Sequence, residues 1–115
     1  MNQLPLELTE GQRRRDDGMA RALDHADREV PSWSVQAWGY LLEFLGSVTT
    51  NQQFMAEEVR HFAEKRGFEL PPDRRAWGGV IVRASKRGMV RRIGYGKHED
   101  PKSHHAPATL WVRVL

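Results

Sequence analysis

Between Arg74 and Lys97 the sequence carries Arg74, Arg75, Arg83, Lys86, Arg87, Arg91, Arg92 and Lys97, and no acid. Guanidinium and ammonium groups bind anions, and arginine pairs bidentately with phosphate or carboxylate. A block of one sign faces an anionic partner, or else is balanced by acids elsewhere in the fold. Two glycines, Gly78 and Gly79, lie in the middle of this block beside Trp77. The surrounding pattern is helical, and each glycine weakens a helix interior by roughly 1 kcal/mol against alanine. The pair therefore needs a reason: either close approach to an external partner, or room for a neighbouring helix or for the bulky Trp77.

A second cluster has ligand chemistry: His98, Glu99, Asp100, His104 and His105. Imidazole and carboxylate bind transition metals. Adjacent histidines on a proline-bounded loop do not preset a closed site, so no metal is expected there. Asp16–Asp17 and Glu57–Glu58 are paired carboxylates, but neighbours on a helix point about 100° apart and do not converge on one ion. No phosphate-cradling G-x-x-x-x-G-K-[ST] occurs, and Ser85 has no recognisable nucleophile partners. The chain is not expected to be an enzyme, and no cofactor is expected. A metal-dependent nuclease using these loop histidines or a carboxylate pair is the weakest reading.

The chain has 115 residues, 39% of them hydrophobic, and no cysteine, so neither disulfides nor cysteine-bound zinc can support the fold. No apolar run is long enough to span a membrane. The opening MNQLPLELTEGQRRRDD lacks the basic-then-apolar order of a signal peptide, so a cytoplasmic, soluble protein is expected. The net charge of +3 is unevenly spread. Residues 1–46 hold five Arg and eight Asp/Glu, giving −3; residues 47–115 hold thirteen Lys/Arg and seven Asp/Glu, giving +6.

The elements that must position these groups follow from periodicity and punctuation. Thr9 and Gln12 match a capping box, opening a first helix to about Glu29. Met19, Ala22, Leu23, Ala26 and Val30 form its thin apolar stripe. That stripe leans on the rest of the chain or forms a dimer contact. Pro31 interrupts, and Ser32 is placed to cap a second helix, Trp33 to Leu45, ended by Gly46. Phe54 and Met55 form a short strand. A third helix covers about 56–66 with Gly67 after it. Asp73 caps a fourth helix that runs to about Arg87, with Gly88 stopping it. Alternation then predicts strands over 90–95 and 109–114, joined by a long polar loop.

The order is helix, helix, short strand, helix, turn, helix, strand, loop, strand. From about residue 33 onward it resembles a winged helix-turn-helix domain. This is a mainly helical α+β fold: a three-helix core with a C-terminal β-hairpin wing, here with an extra N-terminal helix. Two parts are expected, an arm and charged helix over 1–30 and a winged-helix domain over 31–115. The segments HADREVP-W, PPDRRAWGG and RIGYG also look like those of small winged-helix proteins of bacteriophages and prophages.

The resemblance implies a DNA-binding protein with the helix over 73–87 in the major groove of duplex DNA, serving transcription regulation or DNA replication and recombination. On a helical wheel Trp77, Val80, Ile81 and Ala84 share the core face. Arg75, Gly79, Val82 and Lys86 lie opposite. The expected DNA contacts are Arg74, Arg75, Gly78, Gly79, Val82, Arg83, Lys86 and Arg87 on the helix. Arg91 and Arg92 contribute from the adjoining strand, and Lys97 and Lys102 from the wing. The alternative is a protein-interaction adaptor on the same scaffold. Charge placement separates the two. One continuous positive face favours DNA; acids of the first helix lying over that face favour a protein partner or autoinhibition.

Overall fold

The computed structural model describes residues 10–71, 73–97 and 107–114. The fold is α+β and mainly helical: four helices and a small three-stranded antiparallel sheet whose long strands close the chain. The elements are α1 (Glu10–Glu29), α2 (Trp33–Ser47), β1 (Gln53–Phe54), α3 (Ala56–Lys65), α4 (Arg75–Lys86), β2 (Val90–Lys97) and β3 (Pro107–Arg113). The sheet order is β1-β3-β2, with Phe54 and Arg92 both opposite Trp111. Among the described residues no helix is long and apolar enough to cross a membrane.

The core is built on three fully buried tryptophans, Trp33 from α2, Trp77 from α4 and Trp111 from β3. Trp33 meets Trp77 edge-on at 5.3 Å and stacks on Phe68 at 5.4 Å. Such aromatic geometries add to the burial of large apolar area. Val59 and Ala63 of α3 and Phe54 of β1 complete the layer beneath them.

The helix ends follow local chemistry, with three departures from expectation. Gly67 and Gly88 have φ of +86° and +76°, conformations that strain any side chain. Each lets the next amide turn back, Phe68 to the Ala63 carbonyl and Met89 to the Ala84 carbonyl, both at 3.1 Å. Asp73 accepts the Arg75 amide at 2.9 Å from one residue before the N-cap position, which falls on Arg74 and carries no side-chain cap. Ser32 has left-handed backbone and makes no side-chain cap. Asp27 of α1 does that work, accepting from both the amide and the hydroxyl of Ser34 at 2.7 Å. Gly46 does not end α2, which continues through Ser47. The proposed Thr9 cap lies outside the described residues.

Candidate interaction surface

The thin stripe of α1 is used within the chain. Among the helices, α1 and α4 make the most extensive contact, burying Gly18, Ala22, Leu23 and Ala26. Small residues at every fourth position let one backbone come close to another. They come close at Gly78 and Gly79, both buried. A β-carbon on Gly79 would stand 2.8 Å from the Met19 carbonyl oxygen and 3.1 Å from Leu23 Cβ. On Gly78 it would stand 2.5 Å from Met19 Sδ. The glycine pair is room for a neighbouring helix. The expectation that Gly79 lies on an exposed face is corrected, because α1 occupies that face.

The N-terminal part of α1 is fixed by polar contacts. Arg92 on β2 donates from Nη2 to both oxygens of Asp16, at 3.0 and 3.1 Å. The pair is largely shielded, with side-chain exposures of 20% and 16%, so its attraction is little screened. The Arg92 guanidinium also lies over the Trp111 ring at 5.1 Å. One turn nearer the N-terminus, Gln12 Nε2 donates to the Tyr95 hydroxyl at 2.6 Å, and Arg15 sits over the Tyr95 ring at 5.0 Å.

The expected DNA-contact residues are thus dispersed rather than joined. Arg75 is exposed but forks onto Asp73, with Nη2 to Oδ2 at 2.7 Å. The hydrogen bond from Arg75 holds the Asp73 carboxyl below the usual carboxylate range, and Asp73 in turn raises Arg75. Arg83 and Lys86 are exposed and line a groove of about 240 Å³ with Val82 and Gly79. Its other wall is α1, which contributes Asp16, Asp17 and Asp24. Val82 is half-buried there. Arg87 turns away toward α2, over the Trp38 ring at 4.8 Å. Arg74 and Arg91 are exposed. Lys97 ends β2, and Lys102 lies outside the described residues together with His98, Glu99, Asp100, His104 and His105. Among the described residues no three metal-ligating side chains come together.

The sequence left α1 leaning on the rest of the chain, and the glycines making room for a neighbouring helix, as open alternatives, but did not join the two. Asp16, Gln12 and Met19 are what meet the basic block, and the signal for joining them was the small-residue spacing Gly18, Ala22, Ala26 opposite a glycine pair. A further surface was missed. The outward face of α2 carries Val35 and Leu42, 70% and 43% exposed. Comparison with protein-family models, curated proteins and solved structures finds no match to this chain.

Proposed function

We propose that the chain is a winged-helix scaffold that works as a protein-interaction adaptor. The element order from α2 to β3 supports the scaffold. The adaptor reading is carried by one observation: α1 lies on the outer face of α4, its Met19 carbonyl against Gly79 and its Met19 side chain against Gly78. The major groove of duplex DNA is about 12 Å wide, and a single helix with its side chains fills about 10–12 Å. An α4 carrying α1 does not fit. Asp16, Asp17 and Asp24 of α1 line one groove with Arg83 and Lys86, and Asp16 pairs with Arg92, so part of the basic block faces acids of the same chain.

A second reading has its own support. Arg74, Arg83, Lys86, Arg87 and Arg91 remain exposed, and no acid interrupts the block in sequence. In this reading α1 masks a DNA-binding helix and leaves it when duplex DNA is bound, as a regulator or a replication or recombination factor would require.

A titration on random-sequence duplex DNA between about 50 and 200 mM salt separates the readings. The full chain is compared with an Asp17→Asn/Asp24→Asn variant. The adaptor reading expects neither to bind with a linear log–log salt slope, because α1 covers α4 whatever its charge. Binding by the full chain, abolished by Arg83→Ala/Lys86→Ala, overturns it. Binding only by the Asn variant selects the masked DNA helix instead.

A further inference from the structure

The outer face of α2 combines exposed apolar side chains with glycines. Val35, Gly39, Leu42 and Gly46 follow one another at spacings of four, three and four, so they share one side of the helix, with Trp38 beside them. Val35 and Leu42 are the large apolar side chains that α2 exposes to solvent; Leu70, Ile93, Tyr95 and Val114 are exposed elsewhere. The glycines between them have no internal reason. A β-carbon at either Gly39 or Gly46 would meet nothing within 4 Å, and neither has a positive φ. That contrasts with Gly78 and Gly79, whose missing side chains are filled by α1. Glycine weakens a helix interior; Gly46 stands in the last turn of α2, but Gly39 is mid-helix on a face open to solvent and points to close approach by something outside the chain.

The chemistry of that partner is set by the flank. At the C-terminal end of α2 the stripe opens into a groove of about 390 Å³ lined by Leu42, Leu45, Gly46, Met89, Arg87 and Arg113. The floor is apolar and the charged groups are two guanidiniums. Among the described residues no carboxylate lines it; Arg113 is already engaged, its Nη1 donating to the Val48 carbonyl at 2.8 Å. We propose that this face docks an amphipathic helix of a partner protein, its apolar side against Val35, Leu42 and Gly39, its carboxylates toward the exposed Arg87. A second copy of this chain is the poorer occupant, because it would bring arginines and no acid from its own groove.

The inference rests on the adaptor reading and names the surface that reading uses. The probe is a fluorescein-labelled designed helix of about 18 residues, five turns, with leucine and alanine on one side and glutamate on the other. Its twin carries lysine for glutamate. The full chain should bind the acidic peptide and not the twin. Gly39→Gln should weaken binding about tenfold or more while leaving the melting temperature unlowered, since the added side chain meets only solvent within the chain. Arg87→Glu should weaken it similarly. No binding of the acidic peptide, equal binding of the twin, or an unchanged Kd in Gly39→Gln overturns the proposal. So does a dimer in sedimentation that Gly39→Gln dissociates, which gives the face to a second copy. The DNA titration keeps the two failures apart. If the peptide fails while duplex DNA also fails to bind, this face is wrong and the adaptor reading stands. If the full chain binds DNA through Arg83 and Lys86, the adaptor reading itself has failed.

Discussion

Gly79 and Gly39 each sit in the middle of a helix, and their surroundings make opposite demands on the same substitution. At Gly79 an added methyl would lie 2.8 Å from the Met19 carbonyl oxygen. A backbone oxygen cannot rotate aside, so α1 would have to shift as a body. Overpacking of this kind costs about 1–3 kcal/mol, against a helix-propensity gain of at most about 1 kcal/mol. Gly79→Ala is therefore expected to destabilise the chain, by up to about 2 kcal/mol. At Gly39 the same methyl meets nothing, so only the propensity term and the narrower unfolded ensemble act. Gly39→Ala is expected to stabilise by about 0.5–1 kcal/mol. Denaturant midpoints at unchanged slope measure both. Two stabilising results would show that α1 does not press on α4 at that point.

At the scale of elements, α1 is held by a stripe of small residues and by one shielded ion pair. Removing one partner of such a pair leaves the other charged and poorly solvated, which is the costly case. Arg92 has little reserve, since its buried Nε already lacks a partner. Asp16→Ala is expected to cost about 2 kcal/mol, less than a fully buried pair because both side chains keep some solvent. Adding Arg92→Met to Asp16→Ala should recover most of that loss, and a double-mutant cycle reads the coupling directly. No coupling would mean that the pair does not anchor α1. The helices themselves were legible from the sequence, because apolar residues recurred on one side of each: Trp33, Ala37, Leu41 and Phe44 for α2, Trp77, Val80, Ile81 and Ala84 for α4. The seat of α1 was harder to read. A helical wheel ranks positions by the side chain they carry, so Gly78 and Gly79 register as gaps, whereas contact between backbones depends on side chains being absent. Gly46 was misread for a related reason. Glycine stops a helix only where the backbone turns left-handed, as at Gly67 and Gly88, and Gly46 keeps helical geometry. The basic block was legible as residues but not as a surface, because the acid that pairs with Arg92, Asp16, is more than seventy residues away in sequence.

At the scale of the whole molecule the question is whether α1 is part of the cooperative unit or an appendage to it. Ala22, Leu23 and Ala26 belong to the same continuous core as Trp33, Trp77 and Trp111. A helix that supplies core residues should unfold with the core. The chain offers a clean readout, because its four tryptophans, at 33, 38, 77 and 111, all lie outside α1, while α1 is the longest helix at 20 residues. Helix loss followed by far-UV circular dichroism and core loss followed by tryptophan fluorescence should therefore give coincident thermal transitions. Coincidence means that the outer face of α4 is never exposed in a chain that is otherwise folded, so a partner must find another surface, and α2 presents one. An early far-UV step, with the tryptophans still native, would mean that α1 leaves first. The α4 face with Arg83 and Lys86 would then be uncovered in a folded molecule, at a free-energy cost that duplex DNA could offset by binding it.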